Sequence, residues 1–173
     1  MANYDGCITW VLQQEDRGLT GKVVNLFDGG GLTRFGVAQH SSPSIPADFY
    51  TCSITQALEE AKIFYRLNFW NKFLGDSILS DELAATILSF SVNSGLQTTV
   101  LLLQQVLGFN QRDGVMGPVT LAATNKMNPT ALAAQLRQAQ AQFYQMLVAK
   151  QPTDQRFLAG WLARANRIYP SLA

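Results

Sequence analysis

The rhythm of apolar and polar positions changes along the chain. Within residues 6–14, Ile8, Val11 and Leu12 recur at helical spacing, with Trp10 on a neighbouring face, and predict a short helix. Between residues 16 and 48 the pattern breaks. Gly18, Gly21, Gly29, Gly30, Gly31, Gly36, Pro43 and Pro46 fall there, a density that no long helix survives. Residues 23–27 fit a short strand and residues 32–37 its partner, a small hairpin across the glycine turn.

Beyond residue 48 the helical period returns and holds almost to the end. Ser53-Ile54-Thr55-Gln56 has the spacing of a capping box and opens a helix to about Phe69. Ser80, followed by Asp81 and Glu82, caps a helix to about Asn93, which Asn93-Ser94-Gly95 stops. Residues 96–107 are apolar on most faces and predict a central buried helix, with Gly108 at its C-terminal cap. Pro118 suits the first turn of a short helix, after the Asp113-Gly114 turn. Asn128-Pro129 opens a long helix to about Lys150, with Leu132, Leu136, Ala139, Phe143 and Leu147 on one face. Pro152-Thr153-Asp154 starts a last helix that ends before Pro170. The fold class is mainly α, with one small glycine-rich β-hairpin lobe near the N-terminus. Neither repeats nor a linker split the 173 residues. Long irregular segments in compact domains tend to carry function, so the glycine-rich lobe is where chemistry is expected.

Composition narrows the options. Apolar residues make up 47% and charged residues 14%, against the usual ~25% charged. Disorder needs the opposite balance. The net charge is +1, with no long basic stripe, which argues against binding nucleic acid through its phosphates. No run reaches the ~20 apolar residues that span a bilayer. Residues 1–6 lack a basic and an apolar leader region, so the expectation is synthesis in the cytoplasm without a signal peptide. The two cysteines, Cys7 and Cys52, are expected as small buried residues, with one disulfide formed after export as the alternative. His40 is the sole histidine and no CxxC spacing occurs, so a structural zinc site is not expected.

Hydrolysis by acid and base needs a carboxyl whose charge is disfavoured by its setting, plus a second group that handles water. Glu15 ends the first apolar helix at the edge of the glycine-rich segment, where the negative end of the helix dipole disfavours its charge. A solvated glutamate is the plain alternative. Asp28 heads Asp28-Gly29-Gly30-Gly31-Leu32-Thr33, and Thr33 adds a hydroxyl. Glu, Asp and Thr across a glycine hairpin suit hydrolysis of a sugar chain: Glu protonates the leaving oxygen, while Asp and Thr hold water on the other face. A tight turn with a self-bonded Asp is the plain alternative there. Gly29-Gly30-Gly31 lacks the Lys-Ser/Thr of a phosphate loop, and no G-x-S-x-G elbow occurs. Phe64, Tyr65, Phe69, Trp70 and Phe73 are mostly core by spacing, with room for one or two rings beside a sugar groove.

These residues resemble a known family. Residues 8–37 are similar to the N-terminal region of glycoside hydrolase family 108, the bacterial and phage N-acetylmuramidases. Their hallmark is an apolar helix ending in Glu-Gly-Gly-Tyr, then Asp-Pro-Gly-Gly-x-Thr-x-Tyr/Phe-Gly-Ile. Here the second part reads Asp28-Gly29-Gly30-Gly31-Leu32-Thr33-Arg34-Phe35-Gly36-Val37, and the first reads Val11-Leu12-Gln13-Gln14-Glu15-Asp16-Arg17-Gly18. Asn93-Ser94-Gly95, Leu103-Gln104, Leu107-Gly108, the stretch from Asp113 to Leu121, and the stretch from Phe157 to Arg164 resemble the peptidoglycan-binding-like region that ends the family. The chain departs at Asp16-Arg17-Gly18, in a longer spacing from Glu15 to Asp28, and at Ser89, where the family often has Asp.

The resemblance implies one lysozyme-like domain over residues 1–173, with a catalytic part at 1–90 and a helical peptidoglycan-binding-like part at 91–173. It implies cleavage between N-acetylmuramic acid and N-acetylglucosamine, with Glu15 as catalytic acid and no cofactor. Asp28 and Thr33 are the supporting catalytic candidates. Gly30, Gly31, Phe35 and Asn93 are the candidates for substrate contact. A non-catalytic wall-binding module, a glucosaminidase or a lytic transglycosylase are the alternatives. Family members act in the periplasm or cell wall as phage endolysins or delivered enzymes. A type VI secretion effector would imply a periplasmic immunity protein that covers the groove, and neither nucleic acid nor membrane insertion is expected.

Overall fold

The computed structural model describes residues 1–25 and 29–170, and it is mainly α. The first helix, α1, spans Tyr4–Glu15. Asn3 caps it, its side chain accepting from the Gly6 amide, and the inward face of Tyr4, Cys7, Ile8, Val11 and Leu12 is buried. Three short strands follow: β1 at Val24–Asn25, β2 at Leu32–Arg34 and β3 at Val37–Ala38. They form one antiparallel sheet in the order β1-β2-β3, pairing Val24 with Thr33 and Thr33 with Ala38. The expected hairpin therefore carries a third strand. Phe35 and Gly36 both take positive φ, +48° and +77°, and so reverse the chain within what the sequence pattern reads as one continuous strand.

Then come α2 at Ile54–Tyr65, α3 at Asp81–Ser94, α4 at Leu96–Val106, α5 at Pro118–Lys126, α6 at Pro129–Lys150 and α7 at Gln155–Ala165. The caps fall where the sequence places them. Ser53, Ser80 and Asn128 each accept from the amide three positions on, and Gly95 ends α3 at φ +85°. The π-helical turn Arg66–Trp70 carries the run past α2 and turns Trp70 into the core. Its indole donates to Asp76 at 2.9 Å, over Gly75.

The expected central helix is displaced by one element. All residues of α3 from Leu83 to Ser91 are buried, whereas α4 buries only Thr99, Val100, Leu102, Leu103 and Gln104. The small side chains Ala84, Ala85, Ser89 and Ser91 let α1, α4 and α6 all approach α3 closely. α6 also differs from its expected face. Its buried stripe runs through Leu132, Leu136 and Ala139, then turns to Gln140, Tyr144 and Val148. Phe143 and Leu147 are left half-buried toward α7. One hydrophobic core extends from Ala2 to Tyr169 through both parts of the chain. Both cysteines are free, with Cys7 fully buried. Among the described residues no helix is long and apolar enough to cross a membrane.

Candidate active site

Glu15 is the last residue of α1, and its side chain is 18% exposed. Arg164, near the end of α7 and 13% exposed, brings Nη1 to 2.5 Å from Glu15 Oε1. A second guanidinium nitrogen, Nη2, donates to the Ser89 carbonyl of α3 at 3.2 Å. The charges touch without hydrogen-bond alignment: Glu15 Oε1 and Arg164 Nε are buried and lack an aligned partner among the described residues. Two influences on the Glu15 charge oppose each other. The C-terminal end of α1 repels it and Arg164 attracts it.

The Glu15 methylenes lie against Gly36. A β-carbon there would stand 2.8 Å from Glu15 Cγ and 2.7 Å from the Tyr65 hydroxyl. Tyr65 donates to the Phe35 carbonyl at 3.0 Å and so pins the β2–β3 turn beside the carboxylate. Burial, with the negative charge of Glu15 adding to it, pushes the Tyr65 hydroxyl well above its ordinary proton affinity. Tyr65 is therefore a neutral donor throughout the working range.

A cleft of about 350 Å³ opens beside Glu15. Asp16, Arg17 and Thr20 line it from the loop after α1, and Lys22, Val24 and Thr33 from the sheet and its approach. Asp16 organises that loop: its carboxylate accepts from the Thr20 hydroxyl at 2.8 Å and from the Gly21 amide at 2.7 Å. A residue that departs from the family motif thus serves as the loop's staple. Thr33 is held by its neighbour Arg34, which is 4% exposed. Arg34 donates to the carbonyls of Gly21, Phe49 and Cys52 at 2.8, 2.7 and 3.0 Å, which fastens β2 to the segment before α2.

Of the candidates read from the sequence, Glu15, Thr33 and Phe35 share this cleft. Phe35 is only 2% exposed, so it offers a ligand little more than a ring edge. Gly30 and Gly31 are absent from the lining. Their turn is strapped from the other side: the Gly30 carbonyl accepts from the His40 amide at 3.0 Å. His40 Nδ1 lies 2.8 Å from the Gly29 carbonyl, and Gln39 Oε1 accepts from the Leu32 amide. A β-carbon on Gly31 would meet the His40 ring at 2.9 Å. Gly31, without a β-carbon, lets the His40 ring lie close against the turn. Asn93 lies in a separate depression, and Asp28 lies outside the described residues. None of Phe64, Phe69, Trp70 and Phe73 lines the Glu15 cleft. No group of three or more His, Cys, Asp or Glu side chains among the described residues could hold a metal ion.

Arg164 is the residue that reading by spacing misses. Its position on an amphipathic last helix gives an exposed or half-exposed arginine, and nothing local pairs it with residue 15. The only available signal is that the stretch ending at Arg164 resembles the family's closing helix.

The family model described as Glycosyl hydrolase 108 matches residues 8–95, and the one described as Predicted Peptidoglycan domain matches residues 98–166. The solved structure of Brucella abortus SagA is similar to this chain at 26% identity and a TM-score of 0.64, covering 95% of this chain and 96% of that one. No curated protein sequence matches. The first match takes in Glu15 and the sheet, and the second takes in Arg164, so the ion pair joins the two matched regions. This chain belongs to glycosyl hydrolase family 108 and is a glycoside hydrolase of peptidoglycan.

Proposed function

We propose that the enzyme is a muramidase, cleaving the β-1,4 bond between N-acetylmuramic acid and N-acetylglucosamine with Glu15 as general acid. The observation that carries this reading is the placement of Glu15: a largely buried carboxyl on the wall of an open cleft, with an oxygen that lacks an aligned hydrogen bond. The protonated carboxyl gives its proton to the glycosidic oxygen as that bond breaks, and is left as a carboxylate beside Arg164. Arg164 stabilises the charge that appears at that moment, which is the kind of interaction that lowers a barrier. The water that attacks from the other face of the sugar gives its proton to a second group, and Glu15 regains its own proton from solvent.

Thr33, on the same cleft, is the candidate to hold that water, and Asp28 the candidate for the second carboxylate. Arg17 and Lys22 line the cleft with no carboxylate partner among the described residues. They suit a substrate with acidic groups, and the muramic acid side of the strand bears a lactyl group and a stem peptide with carboxylates.

Digestion of purified peptidoglycan, borohydride reduction and mass spectrometry test the reading. Wild type should release fragments with reduced muramic ends. Glu15→Gln should lose turnover by about 10²–10⁴-fold, the usual weight of a general acid, with an unchanged circular dichroism spectrum at 25 °C and a lower melting temperature from the broken pair with Arg164. Near-wild-type turnover in that variant would remove Glu15 from the role. Reduced glucosamine ends would move the bond, and anhydro-muramic ends would make the reaction a lytic transglycosylation.

A further inference from the structure

The loop that joins α1 to β1 is a stapled arm rather than a slack connection. Asp16 closes it, with one carboxylate oxygen engaged by Thr20 and the other by Gly21. Gly18, Leu19 and Gly21 all take positive φ, +84°, +51° and +63°. Leu19 holds a conformation that L-residues avoid, and its half-buried side chain packs against the core. A β-carbon on Gly21 would stand 3.0 Å from Phe35 and 3.1 Å from Ile54. The far end of the loop is therefore seated between the β2–β3 turn and the start of α2.

This arm carries two cations into the Glu15 cleft. Arg17 follows Asp16 and Lys22 follows Gly21, so the Asp16–Gly21 bond draws their backbones together, and both line the cleft. Both residues are exposed, and neither makes an ion pair among the described residues. The carboxylates next to them are already engaged, Glu15 by Arg164 and Asp16 within the loop. Two like charges held near each other without a counter-charge repel and add nothing to the fold. They give the cleft a positive rim beside its acid.

The chemistry of peptidoglycan offers the matching group. In an intact strand the lactyl carboxyl of muramic acid is tied in an amide and carries no charge. The negative charges lie further out, on free carboxylates of the stem peptide, the first of them two residues or roughly 7 Å from the lactyl group. Arg17 likewise stands two residues from Glu15, at most about 7 Å along the backbone. A muramyl ring held against Glu15 brings its stem within reach of the loop.

We propose that Arg17 and Lys22 bind the stem-peptide carboxylates of the muramyl unit beside Glu15, so that the enzyme prefers stem-bearing strands to bare glycan. The proposal rests on the reading of Glu15 as the catalytic acid, and it makes the loop a specificity element for that reaction.

Paired substrates test it: glycan strands with their stems, and the same strands stripped by an amidase that cuts the lactyl amide. Stripping leaves a free lactyl carboxylate, so the two substrates separate the two sources of negative charge. The readout is the ratio of kcat/KM on stem-bearing to stripped strands. Wild type should favour stem-bearing strands about tenfold at low salt, and about 0.5 M salt should shrink that preference, since exposed charges are screened. Arg17→Ala or Lys22→Ala should lower the ratio about three- to fivefold and the double change about tenfold, the weight of exposed charge pairs. Arg17→Lys should keep most of the preference. Both positions are exposed, so the variants should melt as wild type does. A ratio unchanged by the double substitution would overturn the proposal. Equal losses on both strands would overturn it too, because the lactyl carboxylate or the fold would then account for them. If Glu15→Gln itself keeps turnover, the active-site reading fails, and that failure is visible without any loop variant.

Discussion

Arg164 and Glu15 form a pair whose members are each less than one-fifth exposed. Breaking a buried ion pair from one side costs about 3–5 kcal/mol, and partial exposure on both sides here brings that to about 2 kcal/mol. Arg164→Met should therefore lower stability by that amount in urea and cut kcat at least about tenfold, since the carboxylate formed on proton transfer loses its counter-charge. Arg164→Lys should keep more of kcat than Arg164→Met, because it keeps the charge while losing the second arm that bonds the Ser89 carbonyl. Equal kcat in all three proteins would reduce Arg164 to a structural role. Cys7 makes the opposite case, a reactive residue type made inert. Burial pushes its thiol up to about 12, so little of it is thiolate at pH 8. Native protein should react with a thiol reagent at Cys52 first, and at Cys7 only on unfolding. Rapid modification of two thiols in folded protein would contradict the buried α1 face.

At the scale of elements, the site depends on how tightly the β2–β3 turn sits on the end of α1. Gly36→Ala would put a methyl group where Tyr65 and Glu15 already are, at a φ of +77° that costs an L-residue about 1–2 kcal/mol. Turnover should fall well beyond what the stability loss explains, because the displaced atoms include Glu15 Cγ. An unchanged kcat would mean that Glu15 tolerates movement and is not held for catalysis. The elements were also where the sequence was most and least readable. Caps at Ser53, Ser80, Asn128 and Gly95 follow from local hydrogen bonding, so residue type alone revealed them. The third strand did not show, because the reversal at Phe35 needs a positive φ in a bulky residue, which only its surroundings enforce. The glycine turn read as an approach for a ligand because residue type cannot tell a ligand from the His40 ring. Glu15 was legible from its place at a helix end, while Arg164 depends on a tertiary contact that no spacing encodes.

At the scale of the molecule, the two matched regions share one core and one ion pair. α3 ends the first matched region, and α4 and α6 that follow it cover it. A fragment of residues 1–95 would expose the apolar flank of α3 and lose Arg164. It should fail to show a cooperative melt and should release no sugar from peptidoglycan. A folded, active fragment would show the two regions to be independent.

The contact between positions 15 and 164 also sets a timetable. During synthesis Glu15 leaves the ribosome well before Arg164, and it waits without its counter-charge until α7 has emerged and docked. Loop closure over so long a stretch is the slow kind of contact. On the reading of Glu15 as the acid, a chain on which α7 has not yet docked should carry the acid without its counter-charge, so activity should appear only when this long-range contact closes.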